Sequence, residues 1–150
     1  MALIRDFKEL RTYRLGFDGA MLIFENSKTW PKEERYSLTD QVRRSSRAVC
    51  SNMAEGWQKR LYVGTFVSKL SDSNAEAAET LVWLDFAVSC GYLDRQVRAE
   101  LEKDYRQIIG GLTKMMAEAE TWCGPSTVRE ESGSYHTDAE TSSASANDPA

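Results

Sequence analysis

The segment between Leu38 and Trp57 most constrains the fold, because its residues divide into two opposed faces when they are placed on a helix. Successive residues of a helix are about 100° apart, so one arc can be apolar while the other is polar. The first arc consists of Leu38, Val42, Ser45, Val49, Met53 and Gly56. The opposite side carries Arg44, Arg47, Ala48, Ser51, Ala54 and Glu55. One face suits the core of a helical bundle, and the other suits a binding partner.

A helix is predicted to precede this segment, from about Asp6 to about Glu25. Its apolar residues recur at spacings of three and four, which is typical of a helix that buries one face. The predicted core stripe consists of Phe7, Leu10, Phe17, Met21 and Phe24. The helix is expected to end before Pro31, whose ring disfavours helical backbone at Trp30.

The two-faced segment belongs to a second helix that is predicted to begin at Ser37 or Thr39 and to end near Lys59. Either hydroxyl residue can act as its N-cap. A third helix is predicted from Tyr62 to Cys90, and the glycine that follows it is typical of a helix C-terminus. Its core stripe consists of Val63, Phe66, Val67, Leu70, Ala77, Leu81, Leu84 and Val88.

A fourth helix is predicted to start near Asp94 and to bury a single stripe. That stripe consists of Val97, Leu101, Tyr105, Ile108, Leu112, Met115 and Ala119. Gly110 and Gly111 within it indicate either a weak spot or a close helix crossing. No segment alternates with the two-residue period of a strand. The patterns together predict an all-α fold, an antiparallel up-down-up-down four-helix bundle.

Composition divides the chain into one globular unit and a tail. A chain of 150 residues with 41% hydrophobic residues is enough for one core, which we place in residues 1–123. That unit holds 18 Lys and Arg against 18 Asp and Glu, whereas residues 124–150 hold one Arg against five acids. The tail is rich in Ser and Thr and holds a single aromatic residue, so residues 124–150 are predicted to be disordered.

The N-terminal residues indicate a cytoplasmic protein. Charged residues interrupt the first nine positions, where a secretory signal needs a continuous apolar run. No apolar run is long enough to span a membrane, so no membrane association is expected. Cys50, Cys90 and Cys123 are 40 and 33 residues apart, which fits neither a disulfide framework nor a CxxC metal site. They are expected to be small buried or interfacial hydrophobic residues.

Two predicted helices carry apolar residues on a second side. On the third helix these are Val82, Trp83, Phe86 and Cys90, and on the first they are Ile4, Leu15 and Leu22. Helices that are apolar on two sides are usually buried on two sides. We therefore predict a homo-oligomer; the alternative is scattered surface hydrophobic residues or a side shielded by the tail. The small residues Ala48, Ser51 and Ala54 on the second helix are expected to let another helix approach closely.

No catalytic or metal-binding pattern is evident in the sequence. The single histidine, His136, lies in the predicted tail, which removes a histidine base or triad from the bundle. Glu55, Glu76 and Glu79 resemble the carboxylates of di-metal bundles, but those sites also use Glu-x-x-His motifs. No glycine-rich phosphate loop is present. We expect a protein that is not an enzyme and has no cofactor and no metal.

Basic residues are the remaining candidates for a site. Arg43, Arg44 and Arg47 lie on one broad face of the second helix. Lys59 and Arg60 lie at its end, and Arg11 and Arg14 lie on the first helix. Such clusters can neutralise phosphates, and a ring of subunits would multiply them. The alternative is a solvated face whose arginines pair with Asp40, Glu55 or the acids of a neighbouring subunit.

A series of short motifs resembles a known family. The motifs are FKEL at 7–10, PKEERYSL at 31–38, QVRR at 41–44, NMAEG at 52–56 and GYL at 91–93. In order and spacing they are similar to those of the four-helix-bundle family named for proteins encoded in 23S rRNA intervening sequences. The similarity covers about Phe7 to Trp122. It implies a left-handed antiparallel bundle that assembles as a homopentameric ring.

The same resemblance extends to the accessory variability determinant of diversity-generating retroelements, a basic pentamer that partners a reverse transcriptase and RNA. We therefore expect a cytoplasmic, ring-shaped binding module for RNA, for single-stranded DNA, or for an RNA-handling protein such as a reverse transcriptase. The competing expectation is a structural or protein-interaction oligomer that does not bind nucleic acid and whose arginines serve subunit contacts.

Overall fold

A computed structural model describes residues 3–124, and all of the regular structure in this range is helical. The four long helices here are α1 (Arg11–Ser27), α2 (Leu38–Gln58), α3 (Val63–Ser89) and α4 (Arg95–Ala117). A short helix, α5 (Ala119–Cys123), follows α4, and 3-10 turns lie at Phe7–Glu9 and Lys32–Glu34. The predicted disordered tail lies outside the described residues, apart from Gly124.

The four long helices surround one core and confirm the all-α bundle. α1 packs against α2 and α4, and α3 packs against the same two helices. The largest fully buried side chains include Tyr105, Phe66, Ile23, Met53 and Leu70. All six residues of the apolar arc predicted for α2 are buried. The stripe predicted for α4 is buried from Leu101 to Ala119, with Val97 partly exposed at its start.

The predicted core stripe of the first helix was wrong for Phe17 and Met21, although Leu10 is buried as predicted. Phe17 and Met21 are 50% and 45% exposed, whereas the buried residues of α1 are Gly16, Gly19, Ile23 and Ser27. The glycines bring α1 close to its neighbours: a Cβ atom on Gly19 would lie 3.1 Å from the Tyr105 ring. Apart from Ile23, the core side of α1 is therefore built from small residues, and Phe17 and Met21 lie on the surface beside α2.

Helix boundaries differ from the predicted ones at two breaks. The first helix does not run on from Asp6, because Leu10 is extended, with a ψ of 129°, and separates the first turn from α1. The fourth helix stops at Ala117, and Glu118 leads into α5. At the end of α3, Gly91 has a φ of +78°, and this left-handed backbone confirms the predicted glycine terminus.

The N-terminus of α2 is capped by a residue that the sequence pattern did not indicate. Ser37 is at the N-cap position, but its hydroxyl donates to Glu34 Oε2 over 2.8 Å instead of accepting from the helix. The same carboxylate oxygen accepts from the Leu38 backbone N–H at 3.2 Å. These two hydrogen bonds are the main causes that lower the pKa of Glu34. Glu34 therefore satisfies an N–H group that the first turn of a helix leaves free.

None of the described helices is both long enough and apolar enough to cross a membrane.

Candidate nucleic-acid interface

Four arginines converge on the outer side of α2. Arg35, from the turn before the helix, joins Arg43, Arg44 and Arg47 around a groove of about 560 Å³. The other lining residues are Thr39, Asp40, Ala48 and Ser51. We call this surface the basic groove. Its three helical arginines were predicted as a cluster, but Arg35 was missed because it precedes the helix and has no place in the helical period.

Local contacts hold the arginines of the basic groove without neutralising them. Arg43 Nε donates to Ser27 Oγ at 2.8 Å, and the Arg43 guanidinium carbon lies 4.9 Å from the centre of the Phe24 ring. The Arg47 guanidinium lies over the same ring, at 5.9 Å. Arg44 Nη2 donates to Gln41 Oε1 at 2.9 Å. These partners are uncharged, so they orient the guanidinium groups without neutralising them. Arg44 also lies near enough to Glu76 of α3 for its positive charge to favour the ionised form of that carboxyl group.

No arginine of the basic groove forms an ion pair with a carboxylate in residues 3–124. Asp40 lines the groove without such a pair, and Glu55 pairs instead with Lys69 of α3, at 2.8 Å. The two acids of the same chain that were considered as partners therefore do not neutralise these arginines. What remains is a concave surface with four positive groups and one carboxylate, which suits an anion with several charges.

The other predicted basic residues do not extend the groove. Arg11 Nη2 donates to Gln107 Oε1 of α4 at 2.7 Å, and Arg14 is exposed on α1. Lys59 and Arg60 follow the opposite end of α2, about 20 Å along the helix from Arg44. Arg60 lies over the Trp57 ring at 3.6 Å. Of the seven predicted basic residues, the structure thus brings together only Arg43, Arg44 and Arg47.

A second groove lies between α1 and α2 and is mostly apolar. Its volume is about 420 Å³, and we call it the apolar groove. It is lined by Phe7, Tyr13, Phe17, Ala20, Met21, Phe24, Arg47, Cys50, Ser51 and Ala54. Arg47 and Ser51 line both grooves, so the two surfaces adjoin. Of the small residues predicted for an α2 interface, Ala54 lines the apolar groove, Ala48 the basic groove and Ser51 both.

The residues predicted for an interface on α3 lie on its outer side. Val82 is 47% exposed, Phe86 is 54% exposed, and Cys90 is also exposed. Trp83 is partly buried, and its ring centre is 6.0 Å from that of Phe86. We call these four residues the α3 patch. It is an apolar surface on a different helix from the two grooves.

One carboxyl group and one thiol near these surfaces have raised pKa values. The pKa of Glu76 is raised, first by burial and then by the hydrogen bond and negative charge of Glu79. Burial raises the pKa of the Cys50 thiol to about 11, which keeps it protonated at neutral pH. No group of three or more potential metal ligands occurs among the residues that the structure describes. The lining of the basic groove combines four guanidinium groups with one carboxylate, an arrangement that favours an anion.

Comparison with known proteins places this fold in a family. A model of the family described as 23S rRNA-intervening sequence protein matches residues 8–114. Among solved structures, the chain is similar to a protein of unknown function from the S23 ribosomal protein family of Bacteroides thetaiotaomicron, with a TM-score of 0.62. The two chains are 23% identical, and the alignment covers 71% of this chain and 95% of that one. This likeness concerns the fold alone. No curated protein sequence matches at a significant level.

Proposed function

This chain belongs to the family of 23S rRNA-intervening sequence proteins, and we propose that it is an oligomeric binding module that contacts RNA through the basic groove. The observation that carries the proposal is the set of four arginines, Arg35, Arg43, Arg44 and Arg47, which share one groove and form no ion pair with a carboxylate of residues 3–124. An isolated guanidinium cluster of this kind suits a polyanion better than a single small anion.

The arginine side chain favours phosphate as the anion. Its planar fork presents several N–H donors at once and matches the oxygens of a phosphate in a bidentate contact. The aromatic ring of Phe24 already supports two of these guanidinium groups, which lowers the entropy lost when a phosphate binds. Structured RNA is the preferred ligand, and single-stranded DNA is a second polyanion that the groove accommodates.

Charge limits the affinity of a single subunit. The globular unit, residues 1–123, has equal numbers of basic and acidic residues, so the attraction is local to the groove. A ring of copies would repeat the groove and raise the overall affinity by multivalency. Family resemblance suggests a homopentamer for this ring, with a reverse transcriptase as one class of RNA-handling partner.

We propose an antiparallel up-down-up-down topology for the bundle. The support comes from contacts between α2 and α3: Ser45 meets Thr80 at 2.8 Å, and Glu55 meets Lys69 at 2.8 Å. A later residue of α2 thus faces an earlier residue of α3. We further propose that the protein acts in the cytoplasm by binding alone and is not an enzyme.

The competing function is a protein-interaction scaffold that does not bind nucleic acid. The apolar groove and the α3 patch favour it, because both expose large apolar side chains that a protein partner would cover. In that case the arginines of the basic groove would contact another protein, and affinity for RNA would be weak at every salt concentration.

RNA binding by arginine variants distinguishes the two functions. Arg44→Ala removes a guanidinium from the basic groove, whereas Arg106→Ala removes an exposed one from α4 and changes the net charge equally. Fluorescence anisotropy with a structured RNA at low salt should show Arg44→Ala binding about tenfold more weakly, a loss of about 1.4 kcal/mol. Arg106→Ala should bind like the unmodified chain. Equal binding by the two variants, or no binding by the unmodified chain, would favour the scaffold.

A further inference from the structure

We infer that the apolar groove is the binding site for the α3 patch of a second copy of the chain, so that subunits join head to tail. The inference rests on the proposed oligomeric state and goes beyond it by naming the two surfaces that meet. It also places Arg47, which lines both grooves, at the border between the subunit contact and the RNA-binding surface.

The apolar groove has the composition of a binding surface. Phe17 and Met21 on its rim are 50% and 45% exposed, although both are large and apolar. Ser51 and Ala54 on the α2 side are small, so they leave room for side chains that enter from outside. Contiguous exposed apolar surface of this kind is uncommon on a monomer and marks an interaction site.

The α3 patch, which we also call the ridge, carries the complementary apolar side chains. Val82 and Phe86 project from α3 with 47% and 54% of their surface exposed. Trp83 lies between them in sequence, and its ring packs beside that of Phe86. Aromatic side chains that enter a pocket of the partner are the residues that dominate the energetics of interfaces. A ridge with two aromatic rings therefore fits a groove lined by aromatic and small residues.

Charge at the edges of the two surfaces is also complementary. Among residues 3–124, Arg47 is the one charged residue that lines the apolar groove. On α3, Glu79 lies three and four residues before Val82 and Trp83, which places it on the same side of the helix. Glu79 has no ion pair in the part of the chain that the structure describes, and its carboxyl group hydrogen-bonds to that of Glu76. When the ridge of one copy enters the groove of another, Glu79 can meet Arg47.

The two surfaces belong to different helices of the subunit, so their contact is heterologous. A heterologous contact repeats from copy to copy and produces a closed ring or an open chain, whereas an isologous contact stops at a dimer. Each copy within the assembly would then bind one neighbour through its apolar groove and another neighbour through its α3 patch. The basic groove adjoins the apolar groove at Arg47 and Ser51, so the α3 helix of the neighbour would form one border of the RNA-binding surface.

A mixing experiment tests the pairing with the full chain. The groove variant carries Phe17→Glu and Met21→Glu, and the ridge variant carries Val82→Glu and Phe86→Glu. All four positions are exposed, so circular dichroism should show unchanged helicity. Light scattering should give each variant the single-chain mass of 17.0 kDa, and an equimolar mixture should form a complex of two chains and no larger species. Lys103→Glu, on an exposed face of α4, is the control and should assemble like the unmodified chain.

The outcomes separate this inference from the proposed function. Two results would overturn the pairing of these surfaces while leaving the proposed oligomer in place. In the first, the unmodified chain assembles but the mixture stays at the single-chain mass. In the second, the ridge variant assembles like the unmodified chain. If the unmodified chain is a monomer, the proposed oligomer fails as well. RNA binding by the two single-chain variants at low salt tests the basic groove independently.

As a second test, Arg47→Glu should weaken assembly and Glu79→Arg in the same chain should restore it; no recovery would overturn the Arg47–Glu79 contact.

Discussion

Gly111 of α4 crosses α1 directly over Thr12, at a distance that leaves no room for a side chain. A Cβ atom on Gly111 would lie 2.6 Å from Thr12 Cγ2, closer than nonbonded carbon atoms approach. The neighbouring Gly110 has nothing within 4 Å of the same hypothetical atom. The close crossing that the glycine pair indicated therefore depends on Gly111 alone.

The two glycines make a matched pair of substitutions. Gly110→Ala should stabilise the protein by up to about 1 kcal/mol, because alanine has the higher helix propensity and meets no neighbour. Gly111→Ala should destabilise it by about 1–3 kcal/mol, because the Thr12 side chain must leave its rotamer or α1 and α4 must move apart. Urea unfolding of both variants measures the difference. Two variants of equal stability would mean that the crossing of α1 and α4 is looser than described.

Glu34 should stabilise α2 in a pH-dependent way. Its carboxylate accepts from Ser37 and from the Leu38 backbone, and these hydrogen bonds lower its pKa. A carboxyl group whose pKa is lowered by folding stabilises the native state above its ordinary pKa and loses that effect as the pH falls. Glu34→Ala should therefore lower the melting temperature at pH 7 and have a smaller effect at pH 3. Glu33→Ala, at an exposed neighbour, is the control and should change little at either pH.

Glu76 should show the opposite dependence on pH. Burial and the neighbouring Glu79 raise its pKa, so the ionised carboxylate is less favourable in the folded chain than in the unfolded one. The native state is thus favoured while Glu76 is protonated, and this advantage is lost as the pH rises through the raised pKa. Glu76→Gln should increase the melting temperature at pH 7, and the increase should fade toward pH 4. An increase that persists unchanged at pH 4 would rule out titration of Glu76 as the cause.

The cysteines should differ in reactivity. Cys50 is buried and its pKa is raised to about 11, so about one thiol in a thousand is ionised at pH 8. Cys90 is exposed. In the ridge variant, whose α3 patch is free, a thiol reagent at pH 8 should modify Cys90 first. Cys90→Ser in that background should remove the fast phase, and Cys50→Ser should leave it; mass spectrometry identifies the modified residue. Fast modification of Cys50 would contradict its burial.

The helical period predicted the core faces of α2 and α4, because large apolar residues mark them. The same period failed for α1, where Phe17 and Met21 lie on the surface. The cause is that Gly16 and Gly19 form the core side, and a pattern of hydrophobic residues gives no weight to glycine. Gly19 is required by the close approach of Tyr105 and Gly16 by that of Cys50, and both partners are distant in the sequence.

The basic groove was predictable only in part. Arg43, Arg44 and Arg47 share a helix face, so their proximity follows from the sequence. Arg35 joins them because the turn at Lys32–Glu34 directs the chain into α2, which is a tertiary arrangement. The absence of ion pairs for these arginines within residues 3–124 also required the structure, since Asp40 lies three and four residues before Arg43 and Arg44, a spacing at which helical side chains can pair.

The salt dependence of RNA binding tests the central claim most directly. Phosphate contacts release counterions, so the logarithm of the binding constant should fall linearly with the logarithm of the salt concentration. For the full chain with a structured RNA, Arg44→Ala should reduce that slope by about one unit, while Arg106→Ala should leave it unchanged. Identical slopes for the three proteins, or no retention of RNA at the lowest salt concentration, would contradict the assignment of the basic groove to nucleic acid.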